Sequence, residues 1–202
     1  MEIALLIFLF LMTIVIHEVS HGYVAYRLGD PTAKARGRLS LNPLKHIDMF
    51  WTVLLPALLF ISTRGKFAIG MAKPVPVNFA LLHHPKRDMV KVAAAGPLAN
   101  ILISIVLAFV IRFYPHTIIL YVIWFNLGLA MFNLIPIPPL DGSRILAGLL
   151  PIALARLFFK IERFGFMIIL LLYFTGMLFY LIVPGVDFFC VLLGVPSLPV
   201  RF

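Results

Sequence analysis

Cysteine and charged residues are scarce in this chain of 202 residues. The single cysteine, Cys190, excludes a disulfide within the chain, and its apolar neighbours Phe189 and Val191 indicate a small hydrophobic side chain rather than a nucleophile. Charged residues make up 12% of the chain, against about 25% in typical soluble domains. These shortages exclude a disulfide-stabilised secreted domain and argue against a soluble globular one.

The apolar content is correspondingly high. Hydrophobic residues account for 62% of the chain and the mean hydropathy is +1.07, whereas soluble domains have about 45 to 50% apolar residues. The sequence therefore predicts an integral membrane protein. Its net charge of +9 is accompanied by no basic-aromatic module or zinc-knuckle spacing, so we expect contacts with anionic lipid headgroups of the bilayer and none with nucleic acid.

Apolar runs predict an all-α polytopic membrane protein with about four full transmembrane helices, at residues 3–26, 90–113, 117–134 and 165–183. Residues 49–62 are apolar but short for a crossing, and we expect a re-entrant or membrane-surface segment there. Two stretches, residues 36–41 and 73–78, alternate or carry edge-type prolines and predict short membrane-associated β-strands. The whole of 1–202 is expected to form one membrane-embedded domain, with no appended soluble domain.

Basic residues indicate the orientation, because lysine and arginine accumulate on the cytoplasmic side. Fifteen of the 17 lie in three segments, 27–48, 63–91 and 143–163. All three face the cytoplasm if residues 49–62 dip into the membrane and return. This arrangement predicts an outside N-terminus.

The motif H-E-x-x-H occurs at residues 17–21, inside the first apolar run. On a helix, positions i and i+4 share a face, so His17 and His21 can bind one zinc ion, with Glu18 beside them as a base for zinc-bound water. Ionisable groups at membrane depth are costly and are usually functional. The alternative is a buried histidine pair whose hydrogen bonds are satisfied within the protein.

A third ligand is predicted from a proline-rich break, residues 136–139, that ends the third span. Irregular backbone at membrane depth persists only beside protein or a water-filled cavity. Asp141 follows this break and would approach His17 and His21 in the inner half of the bilayer, forming a site for one zinc ion per chain with water as fourth ligand. The alternative role for Asp141 is the N-cap of a helix from Ser143 onward.

Two asparagines are candidate substrate-binding residues. Asn133, just before the break, could donate to a substrate carbonyl or to the developing oxyanion. Asn100 is considered for the same role. The alternative for each is a hydrogen bond between helices, which membrane asparagines often make. His46, His83, His84 and His116 lie in polar segments, and we expect surface or interface positions for them.

Three segments together resemble the site-2 protease family of intramembrane zinc metalloproteases: HEVSH at 17–21, GPLAN at 96–100 and NLIPIPPLDG at 133–142. The resemblance extends over about residues 1–150 and is closest to minimal members without PDZ or CBS domains. It implies His17, His21 and Asp141 as zinc ligands, Glu18 as catalytic base and Asn133 as a contact to the substrate backbone. It also implies cleavage of a membrane-spanning peptide near the cytoplasmic side. The family's Asp-Gly-Gly reads Asp141-Gly142-Ser143 here.

We therefore expect an intramembrane metalloendopeptidase of the cell membrane, with its active site toward the cytoplasmic half and a transmembrane protein or peptide as substrate. A substrate helix must unwind before hydrolysis, and the predicted strands could hold it extended. Serine proteolysis is disfavoured because G-x-S-x-G is missing. The non-enzymatic alternative is a membrane metal-binding or metal-transport protein that uses the same His/Asp cluster.

Overall fold

The computed structural model describes residues 2–62, 64 and 73–197, and helices dominate this part of the chain. The nine α-helices within these residues are α1 Glu2–Arg27, α2 Thr32–Ala35, α3 Leu55–Ser62, α4 Pro85–Val110, α5 Thr117–Leu134, α6 Asp141–Leu149, α7 Ile152–Lys160, α8 Glu162–Phe174 and α9 Met177–Leu193. Two 3₁₀ turns, Pro43–His46 and Phe79–Leu81, and a π-helical segment, Met49–Leu54, complete the helical elements there.

Three helices, α1, α4 and α5, are long and apolar enough to cross a membrane, and they pack against one another. The ends of these helices carry local signals. Glu2 and Arg27 lie at the two ends of α1, where each complements the helix dipole. Pro85 occupies the first turn of α4, where its missing N–H costs nothing, and the His116 side chain accepts a hydrogen bond from the first turn of α5.

The fourth apolar region differs from the predicted span at residues 165–183. It forms two helices, α8 and α9, that meet at an angle of 81°. The break lies at Gly176, whose positive φ of 75° favours glycine. Helix α9 continues through Pro184 to Leu193 and packs along α5 in a core that includes Leu127 and Val186. The described part of the chain therefore has three spanning helices, or four if the bent pair counts as one span.

Residues 49–62 form a π-helical turn followed directly by α3. At the usual rise these 14 residues reach about 21 Å, short of a hydrocarbon core of about 30 Å. The helix agrees with the expectation of a segment that does not cross. Any return of the chain would fall in 63 and 65–72, which lie outside the described residues, so the re-entrant path stays a prediction.

The predicted β-strands are wrong: within the described ranges, neither residues 36–41 nor 73–78 forms a strand. Residues 73–78 lie in no helix or strand, and Pro74 and Pro76 have no N–H to donate to a ladder. The N–H groups of Val75 and Asn78 donate instead to carboxylates of Glu18 and Asp30. Side chains thus satisfy the backbone groups that a neighbouring strand would have bound.

The loop between α5 and α6 is held by close packing against two glycines. A Cβ atom on Gly165 of α8 would overlap the carbonyl oxygen of Pro138, and one on Gly142 would overlap the carbonyl oxygen of Leu134. Helix α6 in turn packs on α4, where a Cβ on Gly148 would meet Val90. These contacts place the start of α6 beside the middle of the α1–α4 pair.

Candidate metal centre

Three side chains from two distant parts of the chain converge on one point. His17 and His21 lie on α1, and Asp141 is the first residue of α6. The Nε2 atoms of the two histidines are 3.1 Å apart, and each lies 3.2 Å from Oδ2 of Asp141. Both imidazoles are buried, and the Asp141 side chain is 16% exposed. The three atoms form a nearly equilateral triangle between the helices.

One face of α4 orients both histidine rings. Val92, Gly96 and Asn100 follow one another at intervals of four residues, so they line the side of α4 that faces α1. The carbonyl oxygen of Val92 lies 2.7 Å from Nδ1 of His21. A carbonyl oxygen can only accept, so Nδ1 of His21 carries the proton and its Nε2 lone pair points to the triangle.

The tautomer of His17 is set by a longer relay. Nδ2 of Asn126, on α5, donates a hydrogen bond of 2.8 Å to the carbonyl oxygen of Val122. This bond fixes the orientation of the Asn126 side-chain amide. Its Oδ1 atom then accepts from Nδ2 of Asn100 at 3.1 Å. Oδ1 of Asn100 therefore faces Nδ1 of His17 at a distance of 2.7 Å. Because an amide oxygen only accepts, Nδ1 of His17 must carry the proton and donate. Nε2 of His17 is again the free acceptor.

The second Nδ2 hydrogen of Asn126 is directed to Oγ1 of Thr13 on α1, at 3.0 Å. Thr13, Asn100 and Asn126 are all buried. This polar cluster therefore connects α1, α4 and α5 behind the metal-facing side of His17. Thr13 and Asn126 were not predicted from the sequence, although an asparagine in the middle of the apolar span 117–134 is the kind of signal that marks a buried polar contact.

Gly96 gives α4 its close approach to the site. A Cβ atom at this position would lie 2.6 Å from Nε2 of His17 and would overlap Nε2 of His21. Any larger residue would push the helices apart or enter the space between the rings. The absence of a side chain at Gly96, in the second predicted span, thus leaves space for the Nε2 atoms of His17 and His21.

The donor set fits zinc. Bonds of about 2.0 to 2.2 Å in a tetrahedral centre place neighbouring ligand atoms roughly 3.3 Å apart, close to the edges of the observed triangle. Oδ2 of Asp141 is buried and accepts no hydrogen bond, as expected for an atom that needs a cation.

Glu18 lies next to the first histidine, and its carboxylate contacts the segment 73–78. Oε2 of Glu18 accepts a hydrogen bond of 2.9 Å from the backbone N–H of Val75. The segment is held on either side of this contact, because Arg38 donates to the carbonyl oxygen of Lys73 at 2.6 Å and Asp30 accepts from the N–H of Asn78 at 2.7 Å. The candidate base is thus covered by a backbone segment that is held on both sides of the contact.

The other predicted site residues lie away from the triangle. Asn100 is fully buried behind His17 and its amide is used by His17 and Asn126, which favours an orienting role over contact with substrate. Asn133 donates to the carbonyl oxygen of Leu129 on its own helix at 2.9 Å, and its contact with substrate stays a prediction. His46 is buried, with Nε2 against the carbonyl oxygen of Ser40 at 2.8 Å. A surface position is therefore wrong for His46, and the alternative of a position at the membrane interface stays a prediction.

The chain thus combines helices that are long and apolar enough to cross a membrane with a His–His–Asp group, beside a glutamate, that could hold a metal ion. The model for peptidase family M50 matches residues 114–176, which contain Asp141. The chain is 35% identical over 193 residues to "Putative zinc metalloprotease YwhC" of Bacillus subtilis, covering 89% of this chain and 84% of that protein. The chain belongs to peptidase family M50, the site-2 proteases, and is a zinc metalloprotease of the membrane.

More distant relatives have the same description. "Putative zinc metalloprotease Rip2" of Mycolicibacterium smegmatis is 30% identical over 172 residues, covering 82% of this chain and 64% of that protein. "Zinc metalloprotease MJ0392" of Methanocaldococcus jannaschii is 30% identical over 152 residues, covering 73% of this chain and 34% of that protein. This chain therefore spans less than two thirds of these two relatives. No solved structure is significantly similar to it.

Proposed function

We propose that this protein is an intramembrane protease, which hydrolyses a peptide bond within or near a transmembrane segment of a membrane protein in regulated intramembrane proteolysis. The convergence of His17, His21 and Asp141 beside Glu18 carries the proposal. His17 lies ten residues before the end of α1 at Arg27, about 15 Å along the helix axis. A site at that depth favours substrates that are themselves in the bilayer.

The proposed roles follow from the positions of the side chains. His17, His21 and Asp141 would hold one zinc ion, which when bound would lower the pKa of water and polarise a carbonyl group. Glu18 takes a proton from the attacking water on its carboxylate and passes it to the leaving amide nitrogen. A C–O bond forms at the substrate carbonyl as the C–N bond breaks. The Nδ1 hydrogen bonds from His17 and His21 keep both Nε2 atoms available throughout.

Residues 73–78 are the candidate contact with the substrate chain beside the proposed base. They lie against Glu18 and are held by Arg38 and Asp30. Val75→Pro removes the N–H that contacts Glu18, and we expect slower cleavage with zinc content unchanged. Cleavage at the wild-type rate by Val75→Pro would contradict this role.

The decisive experiment uses the purified protein in liposomes with a transmembrane peptide as substrate. Glu18→Gln keeps the three ligands and removes the base, so we expect retained zinc and loss of cleavage by several orders of magnitude. Glu2→Gln is a matched control, because Glu2 lies exposed at the opposite end of α1, and it should cleave normally. Zinc uptake into the liposomes, equal in wild type and Glu18→Gln and without any cleavage, would identify metal transport instead.

We also propose that the protein lies in the cell membrane with the centre toward the cytoplasmic half. The distribution of lysine and arginine supports this orientation. Cysteines introduced at two exposed positions test it: Arg36, which follows α2 beyond the C-terminal end of α1, and Tyr114, which follows the C-terminal end of α4. An impermeant thiol reagent added to intact cells should label the second and not the first. The reverse pattern would place the site in the other half.

A further inference from the structure

A cavity separate from the metal centre lies between the start of α4, the helices α6 and α7, and the 3₁₀ turn Phe79–Leu81. Its volume is about 340 Å³, at the lower end of the roughly 300 to 1,000 Å³ typical of small-molecule sites. The walls are almost entirely apolar, with Phe79, Met89, Ala147 and Phe159 among them. Such walls suit a hydrocarbon chain rather than a polar metabolite.

Two cationic side chains, Lys86 of α4 and Arg156 of α7, also line this cavity, and no acidic residue of the described chain does. Carboxylates nearby in sequence have other partners. Asp88 is 2.8 Å from Lys91, and Glu162 is 3.5 Å from Arg144. Lys86 and Arg156 are both exposed and are thus available to an anion outside the protein. An apolar cavity with two available cations fits a ligand with an apolar body and an anionic head.

The position of the cavity favours a membrane lipid as that ligand. It lies where α4 begins, beside a core that includes Ala25 near the end of α1 and Leu82. The apolar side chains of Leu149 and Ile152, at the junction of α6 and α7, are 70% and 60% exposed. Lysine and arginine are concentrated at this end of the helices, which faces the cytoplasm in the orientation proposed above. Anionic lipids are concentrated in that cytoplasmic leaflet.

We propose that this cavity binds an anionic glycerophospholipid, with an acyl chain between α4, α6 and α7 and the phosphate at Lys86 and Arg156. The bound lipid would contact elements from both sides of the metal centre. Phe79 directly follows the segment 73–78 that covers Glu18, and α6 begins at Asp141. Lipid affinity can be measured without an assay of cleavage, so failure of this proposal would be distinguishable from failure of the proposed proteolysis.

The test compares lipid binding by the zinc-loaded, delipidated protein in detergent, measured by native mass spectrometry. The probes are dioleoylphosphatidylglycerol and dioleoylphosphatidylcholine. A cation near an anionic headgroup contributes about fivefold to affinity, so two contribute about 25-fold. Lys86→Gln with Arg156→Gln should weaken phosphatidylglycerol binding by that factor and leave phosphatidylcholine binding nearly unchanged. The matched control, Arg36→Gln with Lys160→Gln, removes the same charge from exposed positions outside the cavity.

A second variant tests the apolar walls. Ala155 lines the cavity and is 9% exposed, whereas Leu154 on the same helix is 51% exposed and does not line it. Ala155→Phe should fill the cavity and abolish specific binding of both lipids, and Leu154→Phe should not. Circular dichroism and zinc content confirm that each variant is folded.

Three results would overturn the proposal. The first is that the wild type binds the two lipids with equal affinity. The second is that the double variant at Lys86 and Arg156 and the control double variant weaken binding equally, and the third is that a folded Ala155→Phe binds phosphatidylglycerol as the wild type does. If the cavity variants instead change the KM for a transmembrane peptide while lipid affinity stays constant, the cavity is a substrate subsite. If they change only the dimer fraction, it is a contact between two copies of the chain.

Discussion

The relay from Asn126 through Asn100 to His17 makes a quantitative prediction about zinc affinity. Nδ1 of His17 and Oδ1 of Asn100 are 2.7 Å apart, and both side chains are buried. Asn100→Ala leaves the ring N–H without an acceptor, which costs about 1 to 3 kcal/mol. Loss of such an orienting partner typically weakens metal binding by about 10- to 100-fold. We expect a rise of that size in the zinc dissociation constant.

Asn126→Leu tests the same relay one step further from the metal. It removes the acceptor for Nδ2 of Asn100 and the donors to Val122 and Thr13. The Asn100 amide can then rotate and present Nδ2 to His17, which favours a proton on Nε2 and blocks the lone pair that binds zinc. We expect about tenfold weaker binding. Nitrogen NMR of the histidine side chains in the zinc-free protein should show a mixed tautomer of His17.

The assay is competition for zinc with a chelator of known affinity, in detergent at fixed pH. Ser104→Ala is the matched control, because Ser104 is buried on α4 and bonds only the backbone carbonyl of Asn100. Its dissociation constant should stay within about twofold of wild type. If folded Asn100→Ala also stays within that range, the relay does not orient His17 and the reasoning from buried hydrogen bonds fails.

Three further predictions concern packing and metal. Gly96→Ala inserts a methyl group against both ring Nε2 atoms and should weaken zinc binding about 10- to 100-fold, whereas Gly128→Ala, with open space at its Cβ, should bind zinc normally. Gly165→Ala places a methyl group of α8 against Pro138 and should lower the free energy of unfolding by about 1 to 3 kcal/mol, measured by thermal unfolding. Unchanged stability would show that the loop at Pro138 moves away without cost. Chelation of zinc should lower the melting temperature of the wild type but not of Asp141→Ala, because only a bound ligand stabilises the fold.

Local spacing made the metal centre predictable from the sequence. His17 and His21 share a face of any helix that contains them, and the proline run before Asp141 forces irregular backbone that lipid cannot satisfy. Sequence alone therefore makes Asp141 a candidate for the third ligand, and the fold brings the three side chains together. Their catalytic use stays a prediction.

Predictions that depended on pairing between distant segments were less successful. Residues 73–78 carried a strand-like pattern, but their N–H groups found the carboxylates of Glu18 and Asp30 instead of another strand. Similarly, the end of the last span could not be located from hydropathy, because apolar residues continue on both sides of Gly176. Only the packing of α9 along α5 showed which apolar residues form one helix.

The sequence by itself determined that the chain is a membrane protein and which residue types could bind a metal, because hydropathy and helical spacing are local properties. Tertiary structure alone decided how the site is built. The proton positions on His17 and His21 depend on acceptors of α4 about 70 to 80 residues away, and the space between the rings depends on Gly96. These contacts arise from the crossing of two helices, and such a crossing has no signature in either segment alone.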